Sequence, residues 1–493
     1  MKKMNLLVMS LVSAAALSFT SCSSNDDLAG NAGQEKVDGF YMTLNVQTPK
    51  SDGTRTVVNK PTVDATAAES DVTSGTIYMV DAAGKVVFTK EISDTEWKAG
   101  KPTQGNDGST QIKIEVEKVV AGQTYRVYFL AGSNKPAGDM NFAATSNNFF
   151  TATKSFASPF ADDNNFAMFN QNDSQVDGNG YTVTFIKANN NEANPAKVNY
   201  KDKKSTITNA PIKVERVVAR IDAPTSKSTV LADAPADASA ALKVAMKDAK
   251  EKVAEIKLLN YAVSNLANKS YVMQTWNSSA LVIPNDKEGF SYIQPAAAFG
   301  GTFDYQNGGF TTTEETKVNY VFENNSTTAP TTMYFEYQIK LDASKFTGDP
   351  DFNAESGNVG TFYRYNNVIY TSFAQIFKDY EGVSTLFKGK KVDDMKTELS
   401  NAINDEAKLA KFREDYNIEV FKGGKTYYKH VIKDNHINGI IQRNSIYRLN
   451  INKIFNVGAQ VPNGEPTEND FYYLNVTVTV NPWVLNEDNV NLQ

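Results

Sequence analysis

Short segments in which apolar and polar residues alternate recur along this chain from end to end, and they leave few folds open to it. The period-two pattern runs through "FYMTLNVQ" (40–47), "QIKIEVEKV" (111–119), "TYRVYFLAG" (124–132), "MYFEYQIKL" (333–341), "SIYRLNINKI" (445–454) and "LNVTVTV" (474–480). Val, Ile, Tyr and Thr at that spacing suit half-buried antiparallel strands, with one face on a core and the other in water. Turn-forming stretches such as "GNDGS" (105–109), "DGNG" (177–180) and "NNNEANP" (189–195) separate the strands. Repeated short strands with polar loops point to β-sandwiches, so the expected fold class is mainly β.

Helices are the minority. "ADASAALKVAMKDAKEKV" (236–253) is rich in helix formers, and "TSFAQIFKDY" (371–380) reads as a shorter helix. "DDMKTELSNAINDEAKLAKFRED" (393–415) reads as one helix, with Met395, Leu399, Ala402, Leu409 and Phe412 broadly on one face. These are expected to be insertions covering a sheet. "PIKVERVVARIDAP" (211–224) reads as a strand closing one β region, and the Ser-, Ala- and Asp-rich stretch after it places a domain boundary at 222–240.

The chain has 493 residues, room for two or three domains, and a formal net charge of −6. With no long basic run, that balance argues against nucleic acid as a partner. Its two histidines, His430 and His436 in "YYKHVIKDNH", have the wrong spacing to share one helix face as metal ligands. There is no Walker-type Gly-x-x-x-x-Gly-Lys-Ser/Thr loop, no His-Glu-x-x-His and no Gly-x-Ser-x-Gly. "NQNDSQVDGNG" (170–180) gathers oxygen ligands but lacks the glycine and terminal glutamate of a calcium loop, and reads as an exposed polar loop. No enzyme activity, cofactor or metal is expected.

Cys22 is the single cysteine, so it closes no disulfide within the chain. Lys2 and Lys3 precede an apolar stretch from Leu6 to Phe19, and the small residues Thr20 and Ser21 follow it. That stretch is too short for a membrane-spanning helix, which needs about 20 residues. The arrangement resembles a bacterial lipoprotein signal (1–21), in which Cys22 is acylated and becomes the mature N-terminus. The acidic run from Ser23 to Asp27 resembles the surface-export tag of Bacteroidetes lipoproteins.

The two end strands are the most informative. Phe40, Met42, Leu44 and Val46 share one face of the first. Beyond them, in "KSDGTRTVV", comes Arg55, the first arginine of the chain, among the small polar residues of a cleavable loop. One cut between Arg55 and Thr56 would free Cys22 and the first strand together. In the last strand Leu474, Val476, Val478 and Val480 share one face. Pro482 is then expected to break the ladder, while Trp483, Val484, Leu485, Val490 and Leu492 keep the end of the chain apolar, as if it lay in a groove.

With "TIYMV" (76–80), "VERVVARI" (214–221), "RNSIYRLNINKI" (443–454) and "VTVTVNPWVLNEDNVNL" (476–492), the chain resembles the Bacteroidetes fimbrillins, the Mfa-like and FimA-like fimbrial shaft subunits. The resemblance implies two transthyretin-like β-sandwich domains with a few helical insertions, 56–223 and 224–493, after a propeptide of 22–55. It implies lipidation at Cys22, cutting by an arginine-specific protease at Arg55–Thr56, and loss of the strand that carries Phe40, Met42, Leu44 and Val46. The vacated groove would then accept the closing segment of another subunit, with Val478, Val480, Trp483, Val484, Leu485, Val490 and Leu492 as donor residues. Partners would be further copies of the chain, accessory fimbrial subunits and, before processing, the outer membrane, in a role supporting adhesion and biofilm. The alternative is a monomeric surface glycan-binding lipoprotein, with Tyr427, Tyr428 and Trp276 as exposed aromatics that stack on sugar rings.

Overall fold

A computed structural model describes residues 40–47, 66–100, 109–136, 139–142, 148–151, 160–161, 165–171, 180–186, 190–201, 206–226, 230–277, 280–284, 292–293, 306–307, 318–349, 351–352, 360–432, 440–462 and 474–482. The chain is mainly β, as its alternation requires. The first strand, Phe40–Gln47, pairs with Ser109–Val116, and Gly75–Val80 pairs with both Val86–Ile92 and Thr124–Ala131. These strands form two layers of one core. Phe40 on one layer meets the ring of Phe185, which follows the strand Gly180–Thr184 of the other, at 5.3 Å. Ile212–Arg216 joins the layers, pairing with the first strand on one side and with Met168–Asn170 on the other.

A second core lies between two further sheets. One holds Val318–Val321, Ala219–Asp222 and Ser445–Ile454, edged by the closing strand Leu474–Pro482. The other orders Gln306–Asn307, Val253–Ser264, Thr332–Leu341 and Lys425–Val431. Ile221, Tyr447 and Leu449 of the first of these sheets share a buried cluster with Ile256, Phe335 and Tyr337 of the second.

The stretch expected as a strand over 211–224 is two strands in different sheets, Ile212–Arg216 and Ala219–Asp222. Val217 and Val218 between them are both fully buried, so the alternation fails there and the chain changes layers. Val217 N–H donates to Ala167 O (3.0 Å) on the first side, and Val218 O accepts from Asn444 N–H (2.8 Å) on the second. Backbone pairing also crosses this seam between Phe149–Thr151 and Lys269–Tyr271.

The expected helix over 393–415 is likewise two, Val392–Ala402 and Glu406–Tyr416. Asp405 lies between them in an extended conformation and caps the second by accepting from Lys408 N–H (3.1 Å), which an uninterrupted helix would forbid. Together with Phe373–Asp379 these helices bury Met395, Leu399, Leu409 and Phe412 in a third cluster of their own, beside the strands Phe362–Tyr365 and Val368–Tyr370. The helix expected at 236–253 forms over Ala240–Lys252, capped by Ser239.

Candidate functional site

The first strand is enclosed, and its two sides are held differently. Along one side it runs antiparallel to Ser109–Val116 over its whole length, from Phe40 opposite Val116 to Gln47 opposite Ser109. On the other side, among the described residues, its strand pairing is two short parallel contacts, Met42–Thr43 with Ala196–Lys197 and Val46–Gln47 with Ile212–Lys213. Two further bonds fasten that side: Tyr41 N–H to Asn190 O (3.0 Å), and Asn45 Nδ2 to Asn209 Oδ1 (3.2 Å). Phe40 is 3 % exposed, and Met42, Leu44 and Val46 are 0 % exposed. Burying each such side chain is worth about 1.5–3 kcal/mol. The four residues singled out in the sequence are thus brought together as one wall of the first core.

The closing strand is held on one side. It pairs antiparallel with Ser445–Ile454, with an irregularity between Ile451 and Lys453, and among the described residues no strand pairs with its outer edge. Val478 lies opposite Leu449, and Val480 opposite Tyr447. Pro482, opposite Ser445, is the last described residue of the ladder. The first and closing strands therefore sit in different sheets. Cys22, Arg55, Thr56, Trp483, Val484, Leu485, Val490, Leu492 and His436 lie outside the described residues.

Two other readings change. Tyr428 is buried, not exposed: its ring meets Tyr337 edge-on at 5.4 Å and its hydroxyl donates to Asn456 O (2.6 Å). Burial, with Tyr337 beside it, raises its phenol above the ordinary range. Tyr427 is half-buried, and its hydroxyl donates to Glu336 Oε2 (3.1 Å). Asn170, at the head of the oxygen-rich stretch 170–180, is spent on the fold, accepting from Phe129 N–H (2.7 Å) and donating to Val127 O (3.1 Å). Among the described residues no group of three His, Cys, Asp or Glu side chains lies where it could hold a metal ion.

Sequence reasoning passed over a buried polar cluster on the seam. Arg216, fully buried, donates from Nε to Glu69 O (2.7 Å), from Nη1 to Asn444 Oδ1 (2.9 Å) and from Nη2 to Ser70 Oγ (3.1 Å). Glu69 Oε1 accepts from Arg220 Nη1 (2.9 Å) and from Tyr320 OH (3.0 Å). Asp222 accepts from Arg220 and, at 2.7 Å, from Arg448 Nε. Burial pulls the Arg216 guanidinium down to about 9, against the pull of Glu69. Two signals could have found the cluster. Arg216 and Arg220 interrupt an apolar stretch, and Thr66-Ala-Ala-Glu69 has the spacing of a reciprocal helix cap.

Two cores, an enclosed first strand and an edge-bound last strand define a mainly-β protein whose ends are its distinctive parts. Residues 419–489, which include Ser445–Ile454 and the closing strand, match the family described as major fimbrial subunit protein type IV, fimbrillin, C-terminal. Through that segment the chain is similar to the fimbrillins. No curated protein matches it.

Among solved structures, a candidate cell adhesion protein from Parabacteroides distasonis ATCC 8503 is 14 % identical, with 91 % of this chain and 98 % of the other covered and a TM-score of 0.45. A second from the same organism is 12 % identical, covering 90 % and 99 %, with a TM-score of 0.46. A fimbrial assembly protein, again from P. distasonis, is 11 % identical, covering 62 % and 99 %, with a TM-score of 0.27. Likenesses this remote do not bear on function.

Proposed function

We propose that the chain is a structural subunit of a surface fimbrium that polymerises by exchanging strands. In this reading residues 1–21 direct export, Cys22 is lipidated, and the precursor waits at the outer membrane with its first strand in place. An arginine-specific protease cuts between Arg55 and Thr56. The segment 22–55 leaves with the lipid, and the remaining chain comprises two β-sandwich domains, 56–223 and 224–493. Loss of Phe40, Met42, Leu44 and Val46 opens an apolar groove beside the unpaired edge of Ser109–Val116, a template for strand addition. The closing segment of another copy, from Val478 and Val480 through Trp483, Val484 and Leu485 to Val490 and Leu492, fills it.

Donor and groove are different surfaces, so the contact repeats without closing and builds a filament. A chain that both accepts and donates suits a shaft, with accessory fimbrial subunits at its ends. The observation that carries this reading is the enclosed first strand, with one continuous ladder and four buried apolar side chains on a segment that a single cut can detach. The test is limited digestion of residues 23–493 with an arginine-specific protease, beside an Arg55→Ala variant, on gels of boiled and unboiled samples. Size ladders that require cleavage and vanish in Arg55→Ala are expected. A single cut with no ladder, or no cut near Arg55, would leave a monomeric surface binder that keeps its first strand.

A further inference from the structure

Removing a strand from a sandwich endangers whatever follows it in the chain, because a new terminus frays unless something ties it down. Downstream of Arg55 the described chain resumes at Thr66, and Gly75–Val80 follows as an interior strand, paired on both sides. The segment between them is tied down with unusual thoroughness. Thr66 N–H donates to Glu69 Oε2 (2.9 Å), and Glu69 N–H returns a bond to Thr66 Oγ1 (3.3 Å). The other carboxylate oxygen takes Arg220 and Tyr320 from beyond the seam, while Arg216 holds the Glu69 carbonyl and the Ser70 hydroxyl. Glu69 is 3 % exposed and Ser70 is 0 % exposed, so water does not compete for these bonds. None of these partners belongs to the first strand. Arg216 lies on a strand that pairs with the first strand at Val46–Gln47, whereas Arg220 and Tyr320, which hold the Glu69 carboxylate, lie in a sheet that does not include residues 40–47.

We propose that Glu69 is a positioning residue that clasps Thr66–Ser70 across the seam, so that departure of the first strand empties its groove without unravelling Gly75–Val80. The inference rests on the strand-removal reading and adds to it the element that keeps the processed subunit intact. The partners of Glu69 come from both sides of the seam: Thr66 and, through its carbonyl, Arg216 on the first, Arg220 and Tyr320 on the second. Clasping the new terminus and fixing the two cores against each other are one act.

The experiment compares the full chain, uncut and cut with the arginine-specific protease, by amide hydrogen exchange. In the uncut chain 66–70 is tethered at both ends; in the cut chain it lies near a free terminus, and the clasp alone retains it. Glu69→Ala is expected to speed exchange over 66–80 in the cut form on the order of a hundredfold relative to cut wild type, with much less effect before cutting. Tyr320→Phe, which trims one hydroxyl and leaves the charges in place, is expected to move the cut form in the same direction by roughly tenfold. Equal acceleration before and after cutting would mean that Glu69 merely stabilises the fold and would overturn the clasp, as would no acceleration in either variant. The mass of the same cut sample reports whether 40–47 has left. If it stays, the strand-removal reading falls and takes the clasp with it; if it leaves and exchange is unmoved, the clasp alone falls.

Discussion

Replacing Leu44 by alanine tests whether the first strand is at once part of the core and dispensable. Leu44 is fully enclosed, opposite Ile112 in the ladder and within the first core. Trimming an enclosed leucine to alanine costs about 2–5 kcal/mol, from lost transfer energy and from the cavity left behind. In a core of this size each kcal/mol moves the melting midpoint by about 2–4 °C, so the uncut variant should melt about 10 °C lower. After cutting at Arg55, wild type and variant are the same polypeptide, because the altered residue has left. Calorimetry on uncut and cut forms of both proteins therefore makes a four-way comparison. The expected pattern is a clear difference before cutting and none after. An uncut variant that melts with wild type would refute the role of Leu44 in the core. A difference that survives cutting would show that the strand remains seated.

Two further predictions concern the scaffold. A β-carbon at Gly75 would come within 2.3 Å of Phe129 Cζ and 2.7 Å of Leu130 O, and the backbone oxygen cannot yield. Gly75→Ala should therefore lose about 1–3 kcal/mol in a urea melt. Arg443 and Glu323 pair at 2.8 Å with side chains 0 % and 2 % exposed, so Arg443→Met alone should cost about 3–5 kcal/mol in the same melt, and adding Glu323→Leu should recover only part of the loss, because Ser270 Oγ, Tyr271 O, Val272 O and Gln274 Nε2 also lose their partners.

The strands were legible because their period is local. Residues 40–47, 445–454 and most of the others lie where the alternation puts them, within a residue or two. The errors fall where a local pattern meets a decision made elsewhere. Over 211–224 the sequence reads as one strand because nothing local distinguishes Val217 and Val218 from their neighbours, yet contacts with Ala167 and Asn444 turn the chain from one sheet to the other. Over 393–415 the apolar stripe is continuous enough for one helix, and only the capping of Lys408 N–H by Asp405 divides it. Tyr428 looks like a surface aromatic until a second strand places Tyr337 against it. The Glu69 cluster was the least legible part, since its members lie far apart in the chain and meet only once both cores exist.

The backbone pairing of Phe149–Thr151 with Lys269–Tyr271 has a mechanical consequence. Arg443 braces the same place, donating to Val272 O (3.0 Å), Ser270 Oγ (3.0 Å) and Tyr271 O (2.6 Å). The strand pair and the guanidinium sit side by side on one short segment, so a force drawing 269–272 away from its neighbours loads these bonds together. Bonds loaded in concert resist far better than bonds opened one after another like a zip. The segment 269–272 is thus a joint that gives way as a unit or not at all.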